Sequence, residues 1–219
     1  MKLEAENISF CYHSGGRRIL NQISLAVDSG ARLGLTAPSG FGKTTLCKIL
    51  AGYEKADSGC VRLDGKPLEE YRGYCPVQMI WQHPEQSVDP RWKMKKLLQE
   101  AGISDSSLIK RLGIKEEWMN RYPGELSGGE LQRFCIAGAL GEQTKILLAD
   151  EITTMLDLVT QNEIWYILLE EVKRRKIGML MISHSERLME KICTERIQWE
   201  AAHGCKRNAG TSAAGKIGY

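Results

Sequence analysis

Between Ala37 and Thr45 the chain carries two glycines, a lysine and three hydroxyls, a set of groups suited to holding phosphate. The run reads Ala37, Pro38, Ser39, Gly40, Phe41, Gly42, Lys43, Thr44, Thr45. Upstream, Ala31 to Thr36 contains Leu33 and Leu35 and predicts a short buried strand. Downstream, Leu46, Ile49 and Leu50 have helical spacing, with Gly52 as the stop. At such a strand-to-helix turn, backbone N–H groups and the positive end of a helix dipole face an anion, and glycines let the backbone close around it. Lys43 would reach the β and γ phosphates of a nucleotide, and the Thr44 hydroxyl would ligate Mg²⁺. The strict spacing pattern begins with glycine where this chain has Ala37. Ala37 is therefore expected at negative φ, leaving Ser39 to Thr45 to do the binding.

A second set of groups lies far downstream. Lys145 to Glu151 reads as a buried strand ending in two adjacent carboxylates, Asp150 and Glu151. With a phosphate cradle in the same chain, Asp150 is placed to hold Mg²⁺ through water and Glu151 to polarise the water that attacks the γ phosphate. Just before it, Ser127 and Glu130 form a capping box that predicts a helix start and a further anion site. Gly128 and Gly129 in that first turn cost helix stability, about 1 kcal/mol each relative to alanine, and point to close approach of a ligand.

The elements that must carry these groups can be read coarsely. Ile8 and Phe10, then Ile23, Leu25 and Val27, alternate around a polar turn and predict antiparallel strands. The stretch from Cys60 continues the pattern, with Asp64-Gly65 as a turn. Val77 to Trp81, Ile146 to Ala149 and Met179 to Ser183 read as further strands. Gln82 to Pro123 is polar and helix-prone with few large apolar residues, a small helical subdomain of about residues 83–140 inserted in an α/β core. Ile164, Ile167 or Leu168, and Val172 mark one helix face, and Lys173-Arg174-Arg175-Lys176 reads as its solvated cap. One domain is expected over residues 1–202, with a flexible Gly-, Ala- and Ser-rich tail over 203–219.

Composition narrows the classes. The formal charge of +3 is matched by Lys206, Arg207 and Lys216 in the acid-free tail, so charge gives no argument for a nucleic-acid partner. The cysteines number seven, an odd count, and are scattered without metal-ligand spacing, which suits reduced thiols in a cytosolic compartment. No run approaches the roughly 20 apolar residues that span a bilayer, and the N-terminus does not read as a signal peptide.

The order of phosphate loop, Gln82, Leu126-Ser-Gly-Gly-Glu130, Asp150-Glu151, Leu156-Asp157 and His184 resembles the nucleotide-binding subunits of ATP-binding cassette (ABC) transporters over about residues 3–200. The resemblance implies a phosphate-loop core of mainly parallel sheet, an N-terminal antiparallel β subdomain and an inserted helical subdomain. It implies two subunits paired head to tail, with Ser127, Gly129 and Glu130 contacting the nucleotide of the partner. By the same resemblance Tyr12 stacks on adenine, Gln82 ligates Mg²⁺ and senses the membrane partner, His184 hydrogen-bonds the γ phosphate, and Asp157 is the acid of the inter-subunit loop. Ile152, Glu130 and Ser185 depart from the residues usual in the family, and none of them removes a group that does chemistry.

Gln78 to Trp92, Tyr122-Pro123 and Thr153 to Gln161 resemble the peptide and nickel importer branch, with Asp89 where asparagine is usual. That implies a peripheral subunit on the cytoplasmic face of the membrane. Its partners would be a second ATPase in a homo- or heterodimer, two transmembrane permease subunits and an extracytoplasmic solute-binding protein. The alternatives are a soluble cassette ATPase acting on DNA or ribosomes, which usually has a coiled-coil insert or a second cassette that this chain does not show, and a regulatory module that senses ATP.

Overall fold

The computed structural model describes residues 1–13, 18–38, 40–103, 105–153, 156–200 and 204–208. Strands β1 (Lys2–Phe10) and β2 (Leu20–Asp28) pair antiparallel, with Leu3 opposite Val27 and Ile8 opposite Ile23, so the alternation read in the sequence becomes one buried face. Next come β3 (Arg32–Thr36), α1 (Lys43–Leu50), β4 (Ser58–Leu63) and β5 (Lys66–Pro67). Asp64 and Gly65 both have positive φ, the conformation of a two-residue hairpin turn, and they fold β5 back on β4. The antiparallel sheet has the order β2-β1-β4-β5.

The second sheet holds the chemistry. It contains β3 and strands from the rest of the chain, which runs through β6 (Val77–Ile80), α2 (Met94–Glu100), α3 (Ser106–Arg111), α4 (Gly128–Ala139), β7 (Ile146–Asp150), α5 (Leu158–Arg175), β8 (Gly178–Ile182), α6 (Glu186–Ile192), β9 (Glu195–Glu200) and β10 (Gly204–Asn208). The strand order is β10-β9-β3-β8-β7-β6, and every pairing except β9 with β10 is parallel. The loops that follow β3, β6, β7 and β8 therefore leave the same edge of the sheet, where ligands bind in folds of this kind.

Two apolar layers cover that sheet. Leu147 and Ala149 with Met179 and Met181 pack into the layer built by α4 and α5, while Ile146 and Leu148 with Leu180 and Ile182 pack toward α1 and the antiparallel sheet. Every residue of β7 and β8 is buried, as expected of parallel strands covered on both sides. The insert between β6 and β7 shares the first layer, with Met94, Leu98, Leu108, Leu112 and Trp118 joining Phe134 of α4. Its large apolar residues are few, but they are turned inward.

Two expectations change. The basic end of α5 is more than a solvated cap. Arg175 donates to the carbonyls of Leu140 and Gly141 at 2.6 Å each, of Glu142 at 3.1 Å and of Thr144 at 3.3 Å, and the lost hydration lowers its pKa. It supplies partners to carbonyls at and beyond the end of α4. Arg174 reaches the buried Glu171 at 2.6 Å, and Arg111 of α3 reaches the same carboxylate at 3.1 Å. The tail also contributes structure, because β10 pairs with β9, Cys205 opposite Trp199. The remaining tail residues, 203 and 209–219, lie outside the described residues.

Replacing Arg175 by methionine is expected to lower unfolding stability by about 2–3 kcal/mol by stranding those carbonyls. The same change at exposed Lys173 should stay within about 0.5 kcal/mol. Equilibrium urea unfolding of both variants checks the contrast.

Candidate nucleotide site

The loop after β3 is shaped by its glycines. Gly40 and Gly42 have φ of 80° and 84°, and Gly42 is the N-cap of α1. A Cβ at Gly42 would lie 2.5 Å from Ile19 Cγ2. Ala37 is not among the positive-φ residues and packs on the apolar layer of β3 and α1, so its methyl group costs the loop nothing. Lys43 is buried, and its Nζ donates to the carbonyls of Ala37 at 2.8 Å and Pro38 at 3.1 Å. The Tyr12 and Thr45 hydroxyls are 2.9 Å apart, which places the half-exposed Tyr12 ring beside the loop. Phe41 meets Trp199 of β9 edge to face at 6.5 Å, a contact the sequence did not reveal. Ser39 lies outside the described residues.

The acids stand at the end of β7. Asp150 is 1% exposed, its carboxylate is hydrogen-bonded by Thr44, and its Oδ2 is buried with no hydrogen-bond partner among the described residues. Burial raises the pKa of Asp150, and the bond from Thr44 opposes the rise. A buried, unpartnered carboxylate oxygen beside a threonine hydroxyl fits a hard divalent cation, which takes oxygen ligands. Among the described residues no group of three or more His, Cys, Asp or Glu side chains is placed to hold a metal ion.

Glu151 is the one site acid with positive φ, 50°, a conformation that must be held in place by its surroundings. Its N–H donates to the Ile182 carbonyl at 3.1 Å. Its Oε1 is 2.8 Å from His184 Nε2, and its Oε2 accepts from Gln82 Nε2 at 3.4 Å. Because β7 lies between β6 and β8, the residues that follow those three strands converge at one point.

A separate group lies at the start of α4. The Ser127 N–H donates to Glu130 Oε2 at 2.8 Å and the Glu130 N–H to Ser127 Oγ at 3.3 Å, the reciprocal cap read in the sequence. A Cβ on Gly128 would meet nothing within 4 Å, whereas one on Gly129 would lie 3.0 Å from Leu156 Cδ2. Asp157 caps α5 by accepting from the N–H groups of Val159 at 3.1 Å and Thr160 at 3.0 Å, and these bonds lower its pKa. Among the described residues, none of Ser127, Glu130 and Asp157 bonds to the phosphate loop. Gln132, passed over in the sequence, is buried and bonds to the carbonyls of Trp81 and Ile152. A glutamine at an inward position of an amphipathic helix was the available signal.

A family model described as ABC transporter matches residues 20–154. The chain belongs to the ABC transporter family. Among curated relatives it is similar to the nickel import ATP-binding protein NikE of Escherichia coli, 30% identical over 216 residues that cover 87% of this chain and 81% of that protein. NikE of Rhodospirillum rubrum is 29% identical over 204 residues, 85% and 74% of the two chains. The solved ATP-binding subunit of an ABC transporter aligns with a TM-score of 0.77 at 21% identity, covering 90% of this chain and 85% of that one. A dimeric ATP-binding cassette in a post-hydrolysis state with ADP and Pi aligns with a TM-score of 0.77 at 20% identity, covering 90% and 93%. The expected class, an ATP-binding and ATP-hydrolysing subunit with an α/β cassette fold, holds, as does the resemblance to the nickel importer branch.

Gly42→Ala should cost about 1–3 kcal/mol and remove nucleotide binding, since the loop cannot keep its left-handed turn. Ala37→Gly should keep nucleotide affinity within about threefold and cost under about 1 kcal/mol, mainly through greater freedom of the unfolded chain. Thermal unfolding with and without Mg²⁺ and ATP reads both effects.

Proposed function

We propose that the chain binds ATP with Mg²⁺ at the loop Pro38 to Thr45 and hydrolyses it to energise import of nickel, peptides or a related small solute. The convergence of Gln82, Glu151 and His184 beside the Asp150 and Thr44 pair carries this reading. Thr44, Asp150 and Gln82 would hold Mg²⁺, which when bound offsets phosphate charge. Lys43 would exchange its two carbonyl partners for phosphate oxygens, a stronger charge-assisted bond. Glu151 would accept the proton of the attacking water, with Gln82 and His184 orienting its carboxylate. Tyr12 would supply the surface against which the adenine rests.

The start of α4 supports a paired arrangement. Among the described residues its glycine-bearing turn does not bond to the loop of its own chain, so Ser127, Gly128, Gly129 and Glu130 would close on the nucleotide of a second ATPase subunit, with Asp157 beside that junction. Permease docking is supported on another face. There exposed Tyr53 packs edge-on against Trp81 at 5.2 Å, one residue before Gln82, and beside it a groove of about 610 Å³ is lined by Ile49, Val61, Leu68 and Tyr71. No helix among the described residues is long and apolar enough to cross a membrane. On the importer reading the chain would sit on the cytoplasmic face through two permease subunits, with an extracytoplasmic solute-binding protein delivering the cargo.

Glu151→Gln should retain ATP binding, lose about 10²- to 10⁴-fold in turnover and accumulate as a closed dimer with ATP. Size-exclusion chromatography and a phosphate-release assay measure this. Turnover at the parent rate would remove Glu151 from the role of base.

A further inference from the structure

Gln132 lies in the second turn of α4 and is 3% exposed. Its Nε2 donates to the Ile152 carbonyl at 3.0 Å and to the Trp81 carbonyl at 3.3 Å. Trp81 precedes Gln82 and Ile152 follows Glu151 in the chain, so one amide nitrogen bridges the two loops whose side chains meet at 3.4 Å. The other end of the amide, Oε1, is buried with no hydrogen-bond partner among the described residues. Its neighbours on the helix, Leu131, Phe134, Cys135 and Ile136, are buried and apolar.

An apolar side chain of the same length would fill this space and remove the unpaired Oε1, at the cost of leaving the Trp81 and Ile152 carbonyls without this donor. A half-satisfied amide is a poor filler for such an apolar layer, so its use lies at the two carbonyls it holds. Glu151 keeps a left-handed backbone that its surroundings must impose. The bond from Glu151 N–H to Ile182 holds it on one side, and the bond from Gln132 to the Ile152 carbonyl holds it on the other. The next residue, Arg133, donates to the Leu112 carbonyl at 2.6 Å, so α4 grips the inserted helices as well as the two site loops.

We infer that Gln132 is a positioning residue for ATP hydrolysis, an amide clamp that sets the spacing of Gln82 and Glu151 and ties it to the placement of the helix opened by Ser127. A shift of α4 changes those two bonds first, so closure of the glycine-bearing turn from Ser127 to Glu130 on a partner's nucleotide is transmitted to the chain's own Glu151. This inference rests on the reading of Glu151 as the hydrolytic base and adds the connection that governs it.

The test uses the purified full chain with Mg²⁺ and ATP, comparing the parent with Gln132→Leu, Gln132→Met, Glu151→Gln and the Gln132→Met/Glu151→Gln double variant. Both Gln132 variants are expected to fold, to melt a few degrees below the parent because the Trp81 and Ile152 carbonyls lose their donor, and to keep KM for ATP within about twofold. Their kcat should fall by about 10- to 100-fold. The double variant should turn over no more slowly than Glu151→Gln alone, because both changes act through one group. Should the branched leucine prevent folding, the unbranched and adaptable methionine carries the measurement. Loss of stability with kcat at the parent value, or losses that multiply in the double variant, would make Gln132 a structural filler and overturn the inference. An impaired Glu151→Gln beside fully active Gln132 variants overturns the inference alone. A Glu151→Gln variant at the parent rate, or a parent without turnover, overturns the functional reading and the inference with it.

Discussion

Strand β7 is buried along its whole length and ends in a carboxylate with one oxygen that no described residue hydrogen-bonds. Holding Asp150 in that place requires apolar cover on both faces of the sheet, and the two layers around Leu147 and Leu148 supply it. Burial raises the energy of the charged form, and Thr44 returns part of that cost through one hydrogen bond. The remaining oxygen has the chemistry of a ligand for a hard cation. The phosphate loop is held against this acid by α1, whose first residues are Lys43 and Thr44.

The same strand position controls Glu151. One residue beyond Asp150 the backbone turns left-handed, which aims the side chain across the sheet edge toward the ends of β6 and β8. That turn is unfavourable for a non-glycine residue by itself, and it persists because bonds from neighbouring strands and from α4 surround it. Polar side chains turned away from water act as connectors in several places. Arg175 joins α5 to the carbonyls beyond α4, and Glu171 joins α5 to Arg111 in the insert. Each replaces water at a backbone or charged group that packing has sealed off.

Much of this was legible from residue order. The alternation of Ile23, Leu25 and Val27, the Asp64-Gly65 turn and the Ser127 to Glu130 cap are local signals, and local geometry decides them. The negative φ of Ala37 followed from asking which loop positions need glycine. Gln132, Arg175 and Trp199 were not legible, because their partners lie far away in sequence and depend on which elements pack together. Lys173 to Lys176 illustrates the limit. A basic run at a helix end has a sufficient local explanation in the helix dipole, and only the neighbouring end of α4 gives Arg175 a different task.

By itself the sequence determined the chemical inventory: a loop able to surround phosphate, two carboxylates at the end of an apolar strand, a capped glycine turn and a histidine after a second strand. Those features depend on residue type and short spacing. The tertiary structure alone decided that β7 lies between β6 and β8, which brings Gln82, Glu151 and His184 within hydrogen-bonding reach although they are far apart in the chain. Strand order is set by how the apolar faces of α1, α4 and α5 cover the sheet, a global packing condition that no local pattern encodes.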